Sequence, residues 1–94
     1  MSTVTLIHAA TFCRSHQIED TYIYTLRDHG FIEVIEEGND AFLKPEELPK
    51  LEKIVRFNRE LDINLEGVEV VLQLLDRIEG LQRETRVLRN RLRR

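Results

Sequence analysis

Apolar side chains recur along this 94-residue chain in three rhythms, and each rhythm predicts a different kind of element. Near the start, Val4 to Ile7 form a short apolar run, read either as a brief strand or as the run-in to a first helix. Residues 7–15 read as that helix, with Ile7, Ala10 and Phe12 expected in the core. "SHQ" makes the turn, and a second helix is expected from about Glu19 to His29. Its apolar residues Ile18, Tyr22, Ile23 and Leu26 fall on one side at helical spacing. Gly30 follows where a C-terminal cap favours a residue tolerant of positive φ.

The rhythm changes at "FIEVIEEGNDAFLK". β-Branched and aromatic residues flank a Gly–Asn turn signal, which predicts a small hairpin. Pro45 then opens a third helix, with Glu46 and Glu47 suited to its positive N-terminal end. Pro49 leaves two alternatives, a lost hydrogen bond in that first turn or regular helix beginning only at Pro49. Leu48, Leu51, Ile54, Val55 and Leu61 give the expected buried face. Asn64 is a candidate N-cap. Beyond it no proline occurs, so one helix of about 30 residues is expected.

That last helix carries a seam. Val71, Leu74, Ile78, Leu81, Thr85, Leu88 and Leu92 alternate three- and four-residue spacings, which puts β-branched residues at most a positions and Leu at every d position of a heptad. Val68, Leu72 and Leu75 are extra apolar positions that can pack on a globular domain. Beyond Ile78 the domain is too small to cover the seam, so a second copy of the helix is the expected cover, against the alternative of a helix folded back on its own domain. Glu84 at g and Arg89 at e can pair in a parallel dimer, but an exposed pair contributes only about 0.2–1 kcal/mol, so parallel and antiparallel arrangements stay open. The expected organisation is a head over residues 1–63 and a long helix over residues 64–94.

Charge adds a division that the net value of −3 conceals. From His16 to Glu47, nine acids face only Arg27 and Lys44; from Arg77 to Arg94, seven Arg face only Glu79 and Glu84. An acidic front and a basic tail follow. Cys13 is the single cysteine, which fits a reducing cytoplasm and a buried structural thiol. With His8 and His16 it matches no common zinc spacing. No basic segment precedes the short N-terminal apolar run, so no signal peptide is expected. The chain has no nucleophile–base–orienter pattern and no Gly-rich phosphate loop, so neither an enzyme nor a cofactor is expected.

The stretches "FC" at 12–13, "HGFIEV" at 29–34, "LDINLEGVEVVLQLLDRIEGL" at 61–81 and "RETRVLRNRLRR" at 83–94 resemble the chaperone-modulator protein (CbpM) family, within the MerR-like winged helix-turn-helix superfamily. The resemblance covers nearly the whole chain and implies a mainly α fold: a helix-turn-helix, a β-hairpin wing and a long C-terminal dimerisation helix. It also implies a function. Such proteins bind the J-domain of a CbpA-like, DnaJ-type co-chaperone, block its work with the chaperone DnaK, and restrain its DNA binding. A cytoplasmic location follows, with nucleoid association through the partner.

DNA-binding members of the superfamily place two Arg on the second helix and one in the wing; the matching positions here are Thr21, Tyr24 and about Ala41, while the polar N-cap is matched by Glu19. Phosphate contacts come mainly from Lys, Arg and backbone amides, so this helix would repel a duplex. At about 100° per residue, Asp20, Tyr24 and Asp28 line the face opposite Ile18, Tyr22 and Leu26, with Thr21 beside them and Glu19 capping the start. Glu36 and Glu37 extend the face if the wing packs nearby. The expected partner site is therefore Glu19, Asp20, Thr21, Tyr24, Asp28, Glu36 and Glu37, set to take a basic helix. The competing readings are a MerR-type transcription regulator that uses the Arg-rich tail, and an acidic front that is simply a solvated face.

Overall fold

The computed structural model describes residues 5–93. It resolves two compact units, one ending at Arg56 and one beginning at Phe57. The division lies ahead of the 63/64 boundary expected from the sequence. Val4, placed in the first apolar run, lies outside the described residues.

The first unit opens with β1 (Ile7–His8) and α1 (Ala9–Ser15). Ile7 is thus strand rather than the first turn of helix. The helix starts two residues later than expected, and its buried residues are Ala9, Phe12 and Cys13, whereas Ala10 is exposed and Ile7 only half-buried. α2 (Asp20–Asp28) follows, and its core residues are Ile23 and Leu26.

Both helices end in the same motif. After α2, Phe31 N–H donates to Leu26 O at 3.0 Å and Gly30 N–H to Arg27 O at 2.9 Å, with Gly30 at φ +80°. After α1, Ile18 N–H donates to Cys13 O at 2.9 Å and Gln17 N–H to Arg14 O at 3.4 Å, with Gln17 at φ +56°. These are Schellman caps, which satisfy the last carbonyls and swing the chain sharply away. The first uses glutamine where glycine is the residue without a steric cost.

The wing is β2 (Ile35–Glu37) and β3 (Asp40–Leu43), joined through Gly38 and Asn39 with Gly38 at φ +62°. β1 pairs on the other edge of β3, so the sheet order is β1-β3-β2, all antiparallel. Ile7 lies opposite Leu43, Ile35 opposite Phe42, and Glu36 opposite Ala41. A 3-10 turn at Pro45–Glu47 leads into α3 (Leu48–Val55), so Pro49 sits in the first helical turn, where its missing N–H costs nothing. Leu51, Ile54 and Val55 are buried. The core of this unit gathers them with Phe12, Ile23, Leu26, Phe31, Ile32 and Leu43.

A π-helical segment, Arg56–Glu60, follows α3 directly. The α-helical ladder has ended at Val55, so Leu61 does not continue the buried stripe of α3; it is exposed. Asp62 takes φ +57°, and Asn58 Nδ2 donates to Ile63 O at 2.8 Å to hold the bend. α4 (Leu65–Leu92) is one unbroken helix of 28 residues, about 42 Å long at ~1.5 Å per residue. Val68 is fully buried, Leu72 half-buried, and Leu75 exposed, which excludes Leu75 from the packed set expected for it. Among the described residues no helix is long and apolar enough to cross a membrane.

Candidate partner-binding site

α2 and the wing build the candidate site. The Glu19 backbone is the N-cap of α2, but its side chain makes no cap bond. The carboxylate is instead reached by the Thr21 hydroxyl, which donates to Glu19 Oε2 at 3.4 Å. A Glu side chain is a methylene longer than the Asp that fits a cap, so it reaches the next turn rather than the backbone amides. Glu19 therefore belongs to the surface of the site rather than to the helix's capping.

Asp20 is exposed and touches a buried neighbour. Burial, with the Asp20 carboxylate nearby and hydrogen-bonded to the thiol, pushes Cys13 up to about 11. The thiol therefore stays protonated at neutral pH. Asp20 and Tyr24 also line a cleft of about 190 Å³ together with His8 and with Asn39 and Asp40 of the wing. Asp40 and Asn39 are thus site residues that linear spacing did not reveal. Only the pairing of β1 with β3 brings the wing turn beside the start of α2.

Tyr24 differs from the expectation of a free, outward anchor. It is half-buried, and the Arg27 guanidinium lies 4.9 Å from its ring centroid. Arg27 Nη1 donates to Glu36 Oε1 at 2.8 Å, while Nη2 and Nε donate to Asp28 Oδ1 at 3.1 and 3.2 Å. The hydrogen bond that Arg27 donates to Asp28 raises the Arg27 pKa most; burial opposes it, and the charges of Asp28 and Glu36 add to the rise. The one basic residue of α2 is consequently bound to its own acids and ring. Arg27 was absent from the set expected from the sequence, because its contact with Glu36 joins a helix to a strand.

Glu36 is brought to α2 as expected. Glu37 is exposed and is the next residue along the strand, so its side chain leaves from the other face of the hairpin. Thr25 takes no part in the surface charge; its hydroxyl donates to Thr21 O at 3.1 Å. The face thus carries four carboxylates, Glu19, Asp20, Asp28 and Glu36, against one guanidinium that only Asp28 and Glu36 hold, and it keeps a net negative charge. Arg27 is the one Arg or Lys of α2, and residues 35–43 of the wing carry none.

The second candidate surface is the seam of α4. Val71 is half-buried. Leu74, Ile78, Leu81 and Leu88 are 49–58% exposed and Leu92 is 85% exposed. Thr85 is exposed too, its hydroxyl donating to Leu81 O at 2.9 Å within the helix. In the single chain the stripe is uncovered over most of its length.

A helix-turn-helix with a hairpin wing and a long terminal helix defines a class of regulatory protein, and the sequence agrees: residues 7–90 match the family described as MerR HTH family regulatory protein, and the chain belongs to that family. Within it the chain is similar to chaperone modulatory protein CbpM of Pseudomonas putida strain W619, 28% identical over 83 residues that cover 87% of this chain and 82% of the relative. It is also similar to chaperone modulatory protein CbpM of Pseudomonas entomophila strain L48, 26% identical over the same shares of both chains.

Proposed function

We propose that this chain is a non-enzymatic regulator that binds the J-domain of a DnaJ-type, CbpA-like co-chaperone and inhibits its co-chaperone and DNA-binding activities. One observation carries the reading: the helix that would read DNA in a MerR-type regulator presents an acidic and aromatic surface, and its only cation is held by its own carboxylates. Such a surface attracts a basic helix and repels a duplex. The relatives named chaperone modulatory proteins agree with that direction. The acids steer and orient the partner, and Tyr24 supplies apolar area at the centre.

The seam of α4 is the proposed dimer interface, with Val71, Leu74, Ile78, Leu81, Thr85, Leu88 and Leu92 against a second copy. Membership of a helix-turn-helix family favours a second reading, a DNA-binding transcription regulator. The chemistry of the α2 surface speaks against it.

Calorimetry against a purified J-domain tests the proposal, with circular dichroism to confirm folding. Tyr24→Ala is expected to weaken binding by about 1–3 kcal/mol. Asp20→Lys with Asp28→Lys is expected to slow association and to reverse its salt dependence. Unchanged affinity in folded variants would move the partner site off this face.

A further inference from the structure

The environment of Arg27 describes a receptor as well as an ion pair. Its guanidinium is held by groups on two elements: the Tyr24 ring and Asp28 from α2, and Glu36 from β2. The planar fork meets one carboxylate with Nη1 and the other with Nη2 and Nε, and lies by an aromatic ring. That combination selects a guanidinium over an ammonium, because only a planar fork meets two carboxylates and an aromatic ring together. The cradle is also open. The Arg27 side chain is 38% exposed, Asp28 67% and Glu36 56%. Ion pairs at such exposure are weak and easily exchanged.

We propose that this cradle is the recognition site for an arginine of the basic partner, and that Arg27 occupies it in the free protein and is displaced on binding. The proposal rests on the reading of the α2 face as a partner surface. It adds the chemistry of the contact, an arginine rather than a lysine, and a residue that tunes its strength. Two features favour the incoming arginine. Arg27 reaches Asp28 from the adjacent position in the same helix, so its approach is fixed by its own backbone. An incoming arginine is free to choose its approach, and arrives on a basic segment that also meets Asp20 and Glu19. Once displaced, Arg27 swings into water on a flexible stem at little cost.

The full chain is titrated with a blocked hexa-arginine peptide and, separately, with hexalysine. The Arg27 Nε–Hε resonance reports the cradle, and calorimetry reports affinity. The expected result is an Nε–Hε signal that moves to the position of solvent-exposed arginine as hexa-arginine binds, and weaker binding of hexalysine. Arg27→Lys keeps the charge but loses the fork, and is expected to bind hexa-arginine at least about twofold more tightly than the wild type. Arg27→Gln is expected to gain about 3- to 10-fold, beyond the gain from Lys50→Gln, which removes one charge from the exposed surface of α3. An unmoved Nε–Hε signal in the bound state, or no gain in Arg27→Lys, overturns the proposal, as does the absence of hexa-arginine binding. A parallel titration with a J-domain separates the two readings. A J-domain that binds without disturbing Arg27 keeps the partner and removes the cradle. A J-domain that fails to bind, while hexa-arginine displaces Arg27, keeps the cradle and removes that partner.

Discussion

The Asn64 side-chain oxygen accepts the backbone amide of Gly67 at 2.8 Å, and this bond sets the point where α4 begins. The same turn explains why residue 67 is glycine. A Cβ there would lie 2.8 Å from Ile63 Cγ2 and 3.1 Å from Asn64 Oδ1. Ile63 is β-branched and its Cγ2 has little freedom to retreat. Asn64→Ala is expected to cost about 0.5–2 kcal/mol in urea unfolding. Gly67→Ala is expected to destabilise despite alanine's better helix propensity. Gly80→Ala, where a Cβ meets nothing within 4 Å, is expected to stabilise by about 0.5–1 kcal/mol. A gain at Gly67 equal to that at Gly80 would show that the cap geometry does not constrain the position.

Cys13 makes stability depend on alkaline pH. Its folded pKa is raised from 9.0 to about 11, first by burial and then by Asp20. Below about 9 the thiol is protonated in both states and the contribution is constant. Between about 9 and about 11 the unfolded chain has lost the proton that the folded chain keeps, so stability falls as pH rises. Cys13→Ala removes this slope, on the order of 1–3 kcal/mol in all. Chemical unfolding of both proteins at pH 8 and pH 10.5 checks it: parallel losses would rule out the thiol as the source.

The seam of α4 predicts concentration-dependent behaviour. Leu81 and Leu88 are 52% and 58% exposed in the single chain. If a second copy covers them, Leu81→Asp with Leu88→Asp places carboxylates in a desolvated stripe, and association should weaken by several kcal/mol. Sedimentation at micromolar concentration is expected to show a dimer for the wild type and a monomer for the double variant. A dimeric variant would place the interface elsewhere.

The Arg-rich end of α4 predicts a form of DNA binding that carries no sequence information. Arg83, Arg86, Arg89, Arg91 and Arg93 are exposed. Any duplex binding through them would be counterion release, steep in salt and indifferent to sequence. Anisotropy of labelled duplexes is expected to show weak binding at low salt that disappears near about 150 mM. Retained affinity with sequence preference at that salt would support the transcription-regulator reading instead.

Local patterns in the sequence were sufficient for most of the elements. Helical spacing marked α2 and α4, Gly30 marked a Schellman cap, "EEGND" marked the wing turn, and Asn64 marked a cap that the structure reproduces as a hydrogen bond. These signals are legible because each depends on residues within a few positions of one another. Where they failed, a neighbour in space intervened. Residues 7–8 became strand because Leu43 and Phe42 offered a sheet edge. Leu61 lost its place in the core because the α3 ladder widened to a π turn before reaching it.

The partner face shows the same limit more sharply. The sequence alone determined that α2 is acidic and lacks the arginines that would bind phosphate, since that is composition read at helical spacing. Only the tertiary structure decided which of those acids work together. Sheet register carries Glu36 to Arg27 and turns Glu37 away. Folding of the wing onto the start of α2 adds Asp40 to the cleft with Asp20 and Tyr24. The physical reason is that side-chain electrostatics acts over a few ångströms of space, and residues nine or twenty positions apart acquire that proximity only when a helix, a turn and a strand have packed around one core.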